Sequence, residues 1–400
     1  MKAVIFPSLP CGTVSAPPSK SYAHRQLICA MIAGGGKICG IELSDDIRAT
    51  LRCMSALGAK YTINGDVVTV LSGIDRNIKS AALDCGESGS TLRFFIPICL
   101  ALGGSFVFKG QGRLLSRPLG EYRELCEKRG VVFEHGDDLL KICGKITGGC
   151  VTVNGDKSSQ YISGLLLSSP LMDTELYLAL TGETESKPYI DLTVSELCAH
   201  GALIKKSGDV FCCMNSPLKP LSEIVEGDWS NAAYLYAYTF CGGNVRVNGL
   251  SEPTLQGDSV CLKLFGKLAS SCPIIDIADC PDLFPALAAV AALNNGAEFV
   301  NTRRLSFKES DRAAAMEQIL SDFGCYVERY ENYFVIERSD LYAPKDPVYG
   351  FNDHRIVMAF CILASVLGGT VYGAEAVNKS FPAFFKTFNS LGGKAKLYDE

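Results

Sequence analysis

Six stretches of the chain are apolar round most of a helical circumference, and each opens on capping or charged residues. The first follows Ser19-Lys20-Ser21 and runs through Leu27, Ile28, Ala30, Met31 and Ile32. The second opens at Glu87-Ser88-Gly89-Ser90, the third at Ser158-Ser159-Gln160 and the fourth at Asp228-Trp229-Ser230. The fifth opens at Asp282-Leu283-Phe284-Pro285 and the sixth at Asn352-Asp353-His354-Arg355. Helices that are apolar all round belong in a core, and their opening residues are those that satisfy the free N–H groups of a helix start. A short alternating strand follows each, for example Ser105–Lys109 and Asn244–Asn248. A second, amphipathic helix comes next. In five copies it ends at a glycine (Gly58, Gly130, Gly201, Gly324, Gly392), the residue suited to a left-handed helix end. In the fourth copy Ala269-Ser270 stands at that place.

The openings near residues 19, 87, 158, 228, 282 and 352 recur roughly every 70 residues, with one shorter step of about 53. The pattern predicts an internal repeat of strand–helix–strand–strand–helix type, six copies in two domains of three. The hinge falls near Glu226-Gly227. The N-terminal domain then spans 13–226, and 1–12 joins 227–400 in the C-terminal domain, although the first dozen residues could pair with either half.

Such a repeat has a chemical consequence. Buried helices packed side by side in parallel point their positive ends at one surface, where unpaired N–H groups favour anions. The loops at those ends carry Lys20, Arg25, Arg93, Arg117, Lys308, Arg312, Arg355 and Lys379. A cleft between the domains lined by these eight cations suits a ligand with more than one anionic group. Asp282 and Glu309 stand among them, placed for proton transfer. Asp282 is read equally well as the N-cap of its helix.

Composition narrows the partners. With 38 basic against 43 acidic residues the net charge is −5, so no global positive field for nucleic acid or an anionic membrane exists. An apolar fraction of 48% and a charged fraction of 20% describe a globular protein. The 18 cysteines include no Cys-x-x-Cys pair and sit mostly in apolar runs, as buried thiols in a reducing compartment would. Met1-Lys2 leads into a strand-like run, not a secretory leader, and no apolar run is long enough to span a bilayer. The cytosol is the expected location. His24 and His354 read as polar packing, and no His/Cys/carboxylate spacing points to a metal.

In this order the motifs resemble those of the enolpyruvyl transferases, most closely the EPSP synthases, over essentially the whole chain. Pro17–Arg25 is similar to that family's Pro-Gly-x-Lys-Ser-x-x-x-Arg, and Gly86–Arg93 to its Gly-x-x-Gly-Thr-x-x-Arg. Arg117–Gly120, Ser158–Gln160, Ser186–Asp191 and Gly227-Asp228 match further motifs. So do Pro281-Asp282, Lys308–Arg312, Asn352–Arg355 and Lys379–Pro382. Pro18 replaces a usual glycine, Gly86-Glu87-Ser88 a commoner Gly-Asn-Ala, and Phe94 a proline.

The resemblance implies a two-domain inside-out α/β barrel of six βαβαββ-type repeats, with the active site in the interdomain cleft. It implies transfer of enolpyruvyl from phosphoenolpyruvate to shikimate 3-phosphate by addition and elimination, with no metal or organic cofactor. Lys20, Ser21, Arg25, Ser158, Ser159, Gln160, Ser186, Asp282 and Lys308 would contact shikimate 3-phosphate. Lys20, Gly89, Arg117, Gln160, Arg312, Arg355 and Lys379 would contact phosphoenolpyruvate, in whose place the herbicide glyphosate binds. Lys20, Asp282 and Glu309 would be the catalytic groups, Asp282 for the 5-hydroxyl proton and Glu309 for the methylene carbon. A monomer acting on small molecules is expected, with no nucleic acid and no membrane as partner. Two rivals are a sister transferase acting on UDP-N-acetylglucosamine and a non-catalytic repeat scaffold. The first carries a cysteine in the loop before its Arg-Pro motif, whereas Gly110–Arg117 here has none. The second would have no use for Asp282 and Glu309.

Overall fold

The computed structural model describes residues 1–399. Its α-helices are α1 (Lys20–Ala33), α2 (Asp45–Ala56), α3 (Gly89–Leu102), α4 (Gly120–Lys128), α5 (Ser159–Ser168) and α6 (Lys187–Ala199). They continue with α7 (Trp229–Ala237), α8 (Cys261–Ser270), α9 (Phe284–Leu293), α10 (Arg312–Asp322), α11 (His354–Leu367) and α12 (Phe384–Ser390). The odd-numbered helices are the six apolar ones. They are buried over nearly their whole length, Leu92 to Leu102 of α3 and His354 to Ser365 of α11 without a break. The even-numbered helices bury one face, for example Tyr122, Leu125 and Cys126 of α4.

Each repeat is one small sheet with two helices. In the second, Ser80–Asp84 lies parallel to Gly104–Lys109, Ser80 opposite Ser105, with α3 as the crossover. After α4 the hairpin Val132–His135 and Leu139–Gly144 folds back, and its second strand pairs antiparallel with Gly104–Lys109. A parallel pair needs such a crossover, whereas the antiparallel hairpin needs only a turn. The third and fifth repeats have the same strand order. In the first, the leading strand is borrowed from far along the chain: Ser222–Ile224 runs parallel to Gly36–Cys39. In the sixth, the chain start Lys2–Phe6 fills the place between Gly369–Tyr372 and Lys394–Tyr398. The fourth sheet holds two strands only, Cys11–Ser15 parallel to Asn244–Asn248. It has no closing hairpin, because α8 leads directly into Ile274–Asp276 of the fifth repeat. That missing hairpin is the short step in the sequence period.

The chain divides into two compact units, Met1–Pro17 with Gly227–Glu400, and Pro18–Glu226. Both borrowed strands at the chain start therefore lie in the first of these. The division falls at Pro17/Pro18, not at residue 13, since Cys11–Ser15 is held by its pairing to Asn244–Asn248. Each unit has its own hydrophobic core. Within Pro18–Glu226 the two central helices approach closely at Gly164 of α5. A Cβ there would stand 2.4 Å from the Arg93 carbonyl oxygen of α3, so only glycine fits. All 18 cysteines are free thiols. Among the described residues no helix is long and apolar enough to cross a membrane.

Candidate active site

The unit Pro18–Glu226 presents the starts of α1, α3 and α5. Ser88 and Ser158 cap their helices, accepting from the N–H groups of Thr91 and Gln160. Ser19 stands at the N-cap of α1, but its side chain makes no capping bond. Side chains link the three starts. Lys20 Nζ donates to Asp46 Oδ2 at 2.7 Å, the Thr91 hydroxyl donates to the Asp46 carbonyl, and Gln160 Nε2 donates to Ser90 Oγ at 2.9 Å. Arg93 closes the set, donating to Gln160 Oε1 at 2.8 Å and to the Pro118 carbonyl at 3.1 Å.

Arg25 is turned into the protein. It donates to Thr193 Oγ1 at 2.7 Å, to the Ser21 and Tyr189 carbonyls at 2.8 and 3.1 Å, and to Ser163 Oγ at 3.3 Å. Its guanidinium also lies over the Phe94 ring. Every one of these partners is neutral. Burial therefore dominates and lowers its pKa to about 10, still a full cation at neutral pH. Ser186, buried at the start of α6, sits at φ 55°, a left-handed backbone that serine rarely adopts.

Gly89 opens α3. A Cβ built there would meet Arg117 Nη1 at 2.3 Å and Cζ at 2.8 Å. The close approach that this glycine permits is that of a neighbouring guanidinium, laid against the first turn of the helix. The resemblance implies a ligand contact at Gly89; the structure adds Arg117, itself among the implied ligand contacts, as the group packed there.

The other unit gathers its ions round one carboxylate. Asp282 Oδ1 receives Arg312 Nη1 at 2.6 Å and Lys308 Nζ at 3.2 Å, and Oδ2 receives Arg355 Nη2 at 3.2 Å. Asp282 is not an N-cap. It lies in the single 3-10 turn Pro281–Leu283, and α9, starting after Leu283, has no side-chain cap. Burial pushes its carboxyl up, but Arg355, Lys308 and Arg312 together outweigh that and hold it well below the usual carboxylate range. Lys308 shifts down, burial outweighing the pull of Asp282.

Arg312 is the hub. Its side chain is 1% exposed and reaches three acids: Asp282, Glu309 Oε2 at 2.7 Å, and Asp353 Oδ2 at 2.9 Å. Asp353 is fully buried, caps α11 through the Arg355 N–H, and accepts from Ser310 Oγ at 3.0 Å. Burial alone would lower the pKa of Arg312 and Arg355. Asp353, Glu309 and Asp282 reverse this for Arg312, and Asp282 leads the reversal for Arg355, so both are raised. Lys379 Nζ donates to the Asn352 carbonyl at 2.6 Å, where Phe351 and Asn352 both have positive φ.

The structure thus joins Lys20, Gly89, Arg117, Ser158 and Gln160 in one unit through the linked starts of α1, α3 and α5. It joins Asp282, Lys308, Glu309, Arg312 and Arg355 in the other. Asp353, Thr193, Ser163 and Tyr189 escaped sequence reasoning. Asp353 sits inside the Asn-Asp-His-Arg motif, which was the available signal. Thr193, Ser163 and Tyr189 lie 138 to 168 residues from Arg25 and left none.

Comparison with known proteins places this geometry in context. The sequence profile of the family described as EPSP synthase (3-phosphoshikimate 1-carboxyvinyltransferase) matches residues 10–274 and 267–388. A 3-phosphoshikimate 1-carboxyvinyltransferase of Clostridium beijerinckii is 36% identical, with 99% of this chain and 98% of the relative covered. One from Clostridioides difficile is 34% identical, covering 98% and 97%. A solved EPSP synthase from Acinetobacter baumannii, 22% identical, superposes with a TM-score of 0.76 over 99% of this chain and 100% of the other. At that identity the likeness carries the fold: a two-domain α/β architecture built from small repeated sheets.

Proposed function

The chain belongs to the EPSP synthase (3-phosphoshikimate 1-carboxyvinyltransferase) family, and on that premise we propose that its two ionic clusters serve one reaction. The reaction transfers the enolpyruvyl group of phosphoenolpyruvate to the 5-hydroxyl of shikimate 3-phosphate, releasing phosphate, in the shikimate pathway to chorismate and the aromatic amino acids. In this reading Lys20, Ser21, Arg25, Ser158, Ser159, Gln160 and Ser186, with Asp282 and Lys308, bind shikimate 3-phosphate. Lys20, Gly89, Arg117 and Gln160, with Arg312, Arg355 and Lys379, bind phosphoenolpyruvate. The substrates bring two phosphates and two carboxylates, about five or six negative charges, which suits eight cations set near helix starts.

The observation that carries the reading is the carboxylate of Asp282 held by Arg312, Lys308 and Arg355. So held, Asp282 is a very weak base. Anionic substrates compete for the same guanidinium and ammonium groups. As they take them, the electrostatic hold on Asp282 relaxes and its basicity rises toward what proton abstraction needs. Asp282 then accepts the 5-hydroxyl proton as that oxygen bonds to C2 of phosphoenolpyruvate. Glu309, on the far side of Arg312, delivers a proton to the methylene carbon, making it a methyl group. Elimination takes a proton back from that methyl, re-forms the double bond and expels phosphate from C2, with Lys20 beside the departing charge. These are proton transfers and charge neutralisation, for which no redox cofactor is required. The acting species is taken as a cytosolic monomer, every assigned residue lying on one chain.

The test is to incubate the protein with phosphoenolpyruvate and shikimate 3-phosphate and assay phosphate, with UDP-N-acetylglucosamine as the alternative acceptor. Phosphate release with shikimate 3-phosphate alone is expected. Release only with the nucleotide sugar, or none, overturns the reading. Lys20→Ala is expected to lose about 100- to 1,000-fold in kcat, the loss typical of one oxyanion-stabilising donor.

A further inference from the structure

Outside the two ionic clusters, α6 carries a second set of titratable groups that the reaction does not use. Glu196 lies in the last turn of α6 and His200 is the residue that caps it, its N–H donating to the Glu196 carbonyl at 3.2 Å. Glu223, in the strand Ser222–Ile224, faces them. His200 is fully buried, Glu196 is 7% exposed, and the Glu223 side chain is 13% exposed. One ligand atom from each of the three lies within 4.8 Å of the other two. We propose that Glu196, His200 and Glu223 hold a divalent transition-metal ion of the zinc class, a structural ion tying α6 to the strand Ser222–Ile224.

The imidazole is prepared for this role. His200 Nδ1 lies 2.8 Å from the Lys219 carbonyl oxygen. A carbonyl only accepts, so Nδ1 carries a hydrogen; Nε2 is then the ring atom a metal would bind, in exchange for the hydrogen it gives Glu223 in the metal-free protein. Backbone anchoring of the second ring nitrogen is how metal-bound histidines are commonly oriented. Nε2 faces Glu223 Oε2 at 3.1 Å. Glu196 Oε2 is buried and has no hydrogen-bond partner, a costly arrangement for a carboxylate unless a cation meets it. Two carboxylates face one ring, and in the metal-free protein a proton, favoured by burial and by the neighbouring Glu223, meets Glu196 in the place a metal would take. The guanidinium of Arg25 influences Glu196 without bonding it, being committed to Thr193, Ser163 and two carbonyls. One imidazole nitrogen and two carboxylate oxygens are ligands that zinc accepts, with bonds of about 2.0–2.2 Å. Tetrahedral bonds of that length put ligand atoms roughly 3.4 Å apart. The Nε2–Oε2 pair already stands near that separation, and rotation of the two glutamates supplies the rest. A proton shared by the carboxylates is the competing occupant.

The experiment takes the full chain, alkylates its accessible thiols, strips metal with a chelator and titrates with cobalt(II). Visible absorption reads four-coordinate cobalt, and zinc content is measured in parallel. The expected result is one equivalent bound per chain, through nitrogen and oxygen alone, and a melting temperature that rises with zinc concentration. Glu196→Gln and His200→Gln should each weaken binding at least tenfold and abolish the thermal response. Glu223→Gln serves if either fails to fold. Absence of saturable binding to wild type overturns the proposal in favour of the shared proton. Binding that survives the substitutions overturns it in favour of another location.

Discussion

Four arginines near the helix starts are buried alike, between 1% and 5% exposed, yet their electrostatics are opposite. Arg25 and Arg93, in the unit Pro18–Glu226, are held by hydroxyls, an amide and backbone carbonyls. Arg312 and Arg355, in the other unit, are held by carboxylates. The pKa of Arg25 falls to about 10, while those of Arg312 and Arg355 rise. A buried guanidinium whose hydrogen bonds all go to neutral groups has no carboxylate bonded to it, so an arriving anion is the first it bonds directly. A guanidinium already paired with a carboxylate must exchange partners, and the exchange leaves a carboxylate behind. The first arrangement attracts, and the second couples attraction to the making of a base.

The comparison can be broken most severely at Asp353. Asp353→Asn removes the buried counter-charge of Arg312 and should destabilise the unit Met1–Pro17 with Gly227–Glu400 by about 3–5 kcal/mol, read as a shift in its urea midpoint. On the neutral side the analogous change is milder. Thr193→Val takes one neutral acceptor from Arg25 and should cost about 1–3 kcal/mol in the unfolding of Pro18–Glu226. If the two losses are equal, the contrast between charged and neutral partners is wrong.

Gly89→Ala sharpens the picture at Arg117. The new methyl displaces a side chain, not backbone, so folding should survive. The KM for phosphoenolpyruvate should rise by about tenfold, equivalent to about 1.4 kcal/mol, with kcat less affected. Glyphosate inhibition should weaken with it. An unchanged KM would mean that the guanidinium moves aside without consequence. The smallest effect is expected at Asp46→Asn. It leaves Lys20 without its partly exposed ion pair, worth about 1 kcal/mol or less, and should change stability barely while strengthening retention of shikimate 3-phosphate at low salt.

Much of this was legible before the structure, for local reasons. The six apolar helices announce themselves by periodicity and by their caps, and five glycines mark the ends of their partners. The leading strands of the fifth and sixth repeats were not legible. Ile274–Asp276 has three residues and Val348–Tyr349 two, too few for alternation to register. Nor could pattern say that Lys2–Phe6 would lie between Gly369–Tyr372 and Lys394–Tyr398, since that register is fixed by pairing across most of the chain. At the site, the eight cations were visible as residue types near helix starts. Which of them face carboxylates was not, because Arg312–Asp353 and Arg25–Thr193 join residues 41 and 168 positions apart. Asp282 shows the limit well: N-cap and ion-pair roles use the same residue type before the same apolar helix, and only the 3-10 turn Pro281–Leu283 separates them.

The central claim is that anionic substrates draw Arg312, Lys308 and Arg355 away from Asp282 and so turn it into a base. In the free protein its depressed pKa contributes stability that is present above the unfolded value of about 3.9. That stability is lost as pH falls through the lower folded value. Carbon-13 NMR of side-chain-labelled aspartate, with the Asp282 signal assigned by Asp282→Asn, follows the titration directly. In the free protein the signal should stay that of an ionised carboxylate down to the pH of unfolding. With shikimate 3-phosphate and glyphosate bound, the same signal should titrate at a clearly higher pH. A midpoint that stays put or falls on binding would contradict the account.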